Sequence, residues 1–251
     1  MPIPSERRVE LLLEGVVVLV SILLAFLLEG WRQERELRHD LNRELASVQL
    51  ALERNRELAA AEIAPLDRVS AAGDAVVAAM LSAAGESHVA VDDTLAALAI
   101  QWNISFSPAL GAVDALISSG RLAQIENPEL KLGLAGLREI IRDVVEDEIA
   151  ATEYTRNLLS PEMARLDALP GGRAIDAFLR SAGEAGLTPQ ERIGGDPLPS
   201  FGSVSLPTDL AIRNYLSMRL GSLGSARSEF TLLRDHLDML VSLVVAEQGQ
   251  L

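Results

Sequence analysis

Cysteine is absent from the 251 residues. Disulfides within the sequence, thiolate metal sites, covalent c-type haem attachment and a cysteine nucleophile are therefore excluded. Lysine is nearly absent: among the 22 basic residues, Lys131 alone is not an arginine. Aromatic residues are only 4% of a chain that is 49% hydrophobic. Alanine and leucine supply most of that apolar content, which favours helix over sheet. No stretch alternates well enough to predict a strand. The histidines, His39, His88 and His236, are far apart and lack metal-ligand spacing. Glu36-Leu37-Arg38-His39 is a lone Glu-x-x-His without the second copy that a helix-bundle metal site needs, and there is no His-x-x-x-His, Gly-x-Ser-x-Gly, Gly-Lys-Ser/Thr phosphate loop or Gly-x-Gly-x-x-Gly. The 36 acids set the net charge at −14 and leave no segregated basic patch, which argues against nucleic acid as a partner. The expectation is no catalytic residue, no metal and no cofactor.

What the sequence does have is "RRVELLLEGVVVLVSILLAFLLEGW", Arg7 to Trp31. Gly15 to Leu28 measures ~21 Å as a helix, too short for a hydrocarbon core of ~30 Å. Val9 to Leu28 measures ~30 Å, so a crossing helix must include Glu14. No small-x-small cleavage site follows the run, which predicts an uncleaved anchor rather than a signal peptide. Helical spacing puts Glu10, Glu14, Ser21 and Ala25 on one face, with Gly15 beside them. Small and polar stripes of this kind bring membrane helices together, and Glu14 would face a donor in a partner or snorkel to the head groups. Trp31 sits where an interfacial aromatic anchor belongs. Arg7 and Arg8 flank one end. Arg32, Arg35, Arg38 and Arg43 flank the other, interleaved with Glu29, Glu34, Glu36 and Asp40. A plain arginine count places the following domain in the cytoplasm. Offsetting the acids favours the opposite orientation, a single-pass protein of a bacterial inner membrane with its domain in the periplasm.

The remaining chain predicts an all-α fold. The organisation is a tail over 1–8, an anchor over 9–30, a stalk helix over 31–64 and a helical-bundle domain over 65–251. Leu37, Leu41, Leu45, Val48 and Leu52 form one apolar stripe, which predicts packing against later helices. Pro65 is expected to start a second helix running to Ala84, with a connector over Gly85–Val91. Asp92 or Asp93 should cap a third, ending at Trp102. Ser107-Pro108 and Asn127-Pro128-Glu129 read as helix starts, and Gly120 as a stop. Ser160-Pro161-Glu162 should break or restart the long helix that opens at Pro128, and Pro170-Gly171-Gly172 should end it. A short helix is expected over Arg173–Ala182, an irregular loop over 183–206, and a final helix from Pro207. "EDEIAATE", Glu146 to Glu153, reads as a solvated acidic face. In "LISSGRL", Ser118 and Ser119 should cap helix-end carbonyls, with Asp114 bracing the turn or pairing with Arg121.

An acid before an apolar run, then "ILLAFLLEGW" and an Arg/Glu-rich helix, resembles a family of uncharacterised bacterial single-span membrane proteins. The segment "FSPALGAVDALISSGRLAQIENPEL" carries the more specific part, through Phe106, Pro108, Asp114, Ser118, Ser119, Gly120, Asn127 and Pro128. The likeness covers roughly residues 5–160 and implies architecture rather than chemistry. The expected function is that of a non-catalytic accessory subunit on a larger membrane complex, for which a respiratory or photosynthetic assembly is one natural host. Expected partners are the lipid bilayer and other membrane subunits, with a homo-oligomer compatible. Two other readings remain open: a helical-bundle ligand sensor acting through a partner, and a tethered enzyme of unrecognised type.

Overall fold

The computed structural model describes residues 5–165, 179–195, 198, 200 and 202–250, with side chains from Leu19 onward. The chain is predominantly helical, as expected. Its first helix, α1 (Ser5–Ser82), has 78 residues and is ~117 Å long. It does not stop at Pro65, where a second helix was expected. The missing amide of Pro65 deprives the Ala61 carbonyl of its partner, a loss of ~3 kcal/mol or more in an ordinary helix interior. Ala61 is exposed, so water can serve that carbonyl, while Pro65, Leu66 and Val69 are buried. Packing holds the helix together across the proline. The apolar register is unbroken there: Leu41, Leu45, Val48, Leu52, Asn55, Ala59, Glu62, Leu66 and Val69 are all buried.

The partner of that stripe is α7 (Leu210–Gln248), the last helix. Ion pairs Arg56–Asp238 and Arg227–Asp67 fix the two as antiparallel. Continuing that register brings the end of α7 level with about Ala46. Everything earlier in α1 has run past its partner. A third long helix, α4 (Pro128–Glu153), lies on α7, with Leu130, Leu134, Leu137, Ile141 and Val144 in the shared core. A Cβ on Gly133 would collide with Leu240, so this glycine allows close approach of α4 and α7. Phe106 meets Phe230 edge to face, with centroids 5.1 Å apart.

A second apolar cluster fills the far end of the bundle. It joins Val76 and Met80 of α1 to Ile212 and Leu216 of α7, and to α2 (Asp93–Gln101) and α5 (Ser160–Arg165). α4 passes into α5 through a π-helical segment, Tyr154–Leu159, so Ser160-Pro161-Glu162 neither breaks nor restarts the helix. The wider turn, with the Ser160 amide bonded to the Thr155 carbonyl, admits Pro161 without ending the run. The expected stop at Pro170-Gly171-Gly172 and most of the short helix over Arg173–Ala182 lie outside the described residues; residues 179–184 are helical.

Two strands, not foreseen from the sequence, close this end. β1 (His88–Asp92) pairs antiparallel with β2 (Ser203–Pro207), His88 opposite Pro207 and Asp92 opposite Ser203. β1 occupies the expected connector, and β2 the end of the expected loop. That loop also contains α6 (Pro189–Gly194), whose capping box links Thr188 and Glu191 and whose Ile193 is buried.

Candidate functional site

The described part of the apolar run begins at Leu19. From there to His39 every residue of α1 is exposed. Phe26 is 72% exposed and Leu27 69%, whereas Leu45 and Leu52, on the same helix, are 0%. Leu19–Leu28 makes nearly three turns, so its exposed apolar side chains surround the helix rather than forming a stripe. Among the described residues, no helix is long and apolar enough to cross a membrane. The side chains of Glu10 and Glu14 and the surroundings of Gly15 lie outside the described part of the structure. Of their expected face, Ser21 and Ala25 are exposed along with every neighbour. The free part of the stalk ends near His39, because Leu41 already enters the core.

Polar chemistry starts abruptly after Leu28. Arg32 pairs with Glu29 at 3.1 Å and Arg38 with Glu34 at 2.6 Å, while Arg43 pairs with Asp40. Arg35 instead lies over the ring of Trp31, 5.3 Å from its centroid. An open groove of about 460 Å³ runs along this face past Trp31, Glu34, Arg35, Arg38, His39 and Asn42.

The signature segment forms the turns that join helices across the bundle. Phe106 is buried, and its amide donates to Glu148 at 3.4 Å. Pro108 and Ser107 do not start α3 (Gly111–Ser118), which begins three residues after Pro108 without a side-chain cap. The reason lies in α1: the buried Asn55 amide donates to the Ala109 carbonyl at 3.0 Å, and its oxygen accepts the Ala109 N–H at 2.6 Å. That side chain holds the backbone extended. Asp114 pairs with Arg138 at 2.5 Å rather than with Arg121, which reaches Glu44 at 3.0 Å. Ser118 and Ser119 donate to the carbonyls of Ala115 and Leu116, the expected capping role. Gly120, at φ +74°, ends the helix in the left-handed region that favours glycine. Asn127 caps α4 by accepting from Glu129 and Leu130, with Pro128 in the first turn.

Besides two threonines, the described residues bury four polar or charged side chains that escaped the sequence reading. Asn55 is the first. The second is Glu247, whose carboxylate accepts the Glu126 N–H at 2.5 Å and the Asn127 N–H at 3.1 Å, tying the end of α7 to the start of α4. The third is Glu62, 4% exposed. Burial first, and then the charge of Glu148, push its carboxyl up to about 7, against a hydrogen bond from Gln190. Glu148 is itself raised by burial, opposed by the Phe106 amide, so this member of the expected acidic face turns inward. The fourth is Arg219, 0% exposed. Its Nε donates to the Thr155 hydroxyl at 2.6 Å and an Nη to the Trp102 carbonyl, while Nη1 has no partner among the described residues. Burial pushes its guanidinium down to about 10, so it stays charged at neutral pH. Trp102 closes α2, where a cation meets the negative end of the helix dipole. Asn55 and Glu62 carried a signal: they are polar residues at apolar positions of the α1 stripe. Arg219 and Glu247 carried none, because their partners are far away in sequence.

Among the described residues no group of three or more histidines and acids is placed to hold a metal. His236 is partly buried between α4 and α7, bonded to the Gly133 backbone, with burial lowering its pKa. These polar groups bond mainly to backbone at helix ends and turns, which is structural work. No protein-family model, curated protein or solved structure matches the chain.

Proposed function

We propose that this chain is a non-catalytic, membrane-anchored accessory subunit. The observation that carries the reading is the exposed apolar sleeve Leu19–Leu28, continuous with Trp31. Fully burying each large side chain of that sleeve is worth about 1.5–3 kcal/mol, so something other than this chain must cover it. A bilayer fits better than one protein groove, because the apolar surface encircles the helix. With the residues before it, the run from Val9 reaches ~30 Å, the hydrocarbon thickness. The acid-and-small face of Glu10, Glu14, Gly15, Ser21 and Ala25 would then approach a second membrane subunit. The resemblance of the segment to single-span bacterial membrane proteins would imply the same architecture. A bioenergetic complex is one natural host, and the periplasm is the favoured side for the bundle.

Two measurements test the reading. The full chain should remain with membranes after alkaline carbonate washing, and recovery as a soluble monomer would reject anchoring. In mild detergent it should co-purify with membrane protein, and Glu14→Leu should weaken that association while the bundle stays folded. A monodisperse monomer without a companion would reject the subunit role. A reporter fused to the C-terminus reads the orientation.

A further inference from the structure

The geometry points to Trp31 and Arg35 as a clamp for the phosphodiester of a membrane lipid. The inference rests on the anchoring reading above and adds a ligand class to it. Its first support is that Arg35 is left over. Arg32, Arg38 and Arg43 each have a carboxylate one turn away, whereas Arg35 makes no ion pair among the described residues. Its contact with the Trp31 ring leaves guanidinium N–H groups free, and their fork matches two phosphate oxygens.

Depth is the second support. Arg35 lies seven residues beyond Leu28, or ~10 Å along the helix. Helical side chains lean towards the N-terminus, and the 5.3 Å contact with Trp31 shows that Arg35 does so. The lean returns its charge to the head-group layer, which is ~5–7 Å thick on each side of the core. The third support is room. The open groove of about 460 Å³ lies on this face, and Glu34, the carboxylate within it, is neutralised by Arg38 at 2.6 Å. The ion pairs leave Arg35 as a single recognition point rather than part of a polybasic surface. The ligand is therefore the phosphodiester shared by zwitterionic and anionic lipids.

The test uses the full chain in vesicles of phosphatidylcholine, with and without phosphatidylglycerol, in a buffer free of inorganic phosphate. Solid-state NMR then measures dephasing of arginine guanidinium ¹⁵N by lipid ³¹P. The wild type should show a close guanidinium–phosphorus contact in both compositions, lost in Arg35→Gln. As a second readout, a Trp102→Phe background leaves Trp31 as the one tryptophan. Arg35→Gln should then move Trp31 away from the quenching depth of head-group spin labels, and Arg35→Lys should not restore it. Vesicle-bound protein with no contact attributable to Arg35 overturns the clamp and leaves anchoring intact. So does contact with added inorganic phosphate alone, or with a carboxylate of a co-purifying protein. Protein that fails to float with the vesicles overturns anchoring itself.

Discussion

One helix lives in two environments. From Leu41 to Met80, α1 buries a stripe against α7, α2, α3 and α6; of the polar residues of that stripe, Asn55 bonds to Ala109 and Glu62 to Gln190, with Glu62 Oε2 left unpartnered among the described residues. From Leu19 to His39 every residue of the same helix is exposed, and the ion pairs Arg32–Glu29 and Arg38–Glu34 join side chains one turn apart. Helical propensity is similar along both halves. The difference lies in how far the partners reach: α7 ends level with about Ala46, α3 and the turn at Arg121 extend the cover to Leu41, and the helix before His39 has none. Apolar residues alone therefore do not make a core; a partner of matching length does.

The largest test of this contrast compares two leucines. Leu52→Ala should destabilise the bundle by about 2–5 kcal/mol, read from urea unfolding in mild detergent. Leu24→Ala should leave the same midpoint within about 0.5 kcal/mol. Equal effects would mean that the bare half is not bare. Next comes pH. The carboxyl of Glu62 titrates near 7 when folded and near 4.5 when unfolded, so protonation favours the fold. Its contribution is complete below about 4.5, falls as pH rises through about 7, and is level above, a total of at most about 3 kcal/mol. Glu62→Gln should flatten that decline, and an unchanged pH profile would reject the buried acid. Arg219→Met should cost about 1–3 kcal/mol, because the Trp102 carbonyl and Thr155 hydroxyl lose a buried donor. Arg35→Met, in the bare half, should not move the unfolding midpoint. A comparable loss there would blur the two environments.

Local chemistry was legible wherever cause and effect lie within a few residues. Asn127-Pro128 caps α4, Gly120 stops α3 and Asp92 caps α2, each through groups two to four positions apart. Of the apolar stripe Leu37, Leu41, Leu45, Val48 and Leu52, the last four were read correctly as a packing face, whereas Leu37 is 51% exposed because the bundle does not reach it, and the continuation of the stripe beyond Leu52 in the same helix was missed. Asn55, Glu62 and Pro65 interrupt its composition without interrupting its phase. Both misplaced helix starts have long-range causes. Asn55 holds Ala109 outside α3, and Pro207 belongs to the strand paired with His88, so α7 waits for the Asp209 cap. The strands were short alternations, Val89 with Val91 and Val204 with Leu206, meaningful only once each had the other as neighbour. Asp114 offers the same lesson, since its partner Arg138 is a spatial neighbour rather than a turn-mate.

By itself, then, the sequence determined a predominantly helical protein whose first helix carries a long apolar run. Those properties follow from composition and period, which act over one or two turns. Tertiary structure decided that α1 runs through Pro65, that Arg219 and Glu247 are buried, and where the helix leaves its bundle. Each of those outcomes depends on which surfaces meet and how far they extend, and that is settled only when distant segments pack.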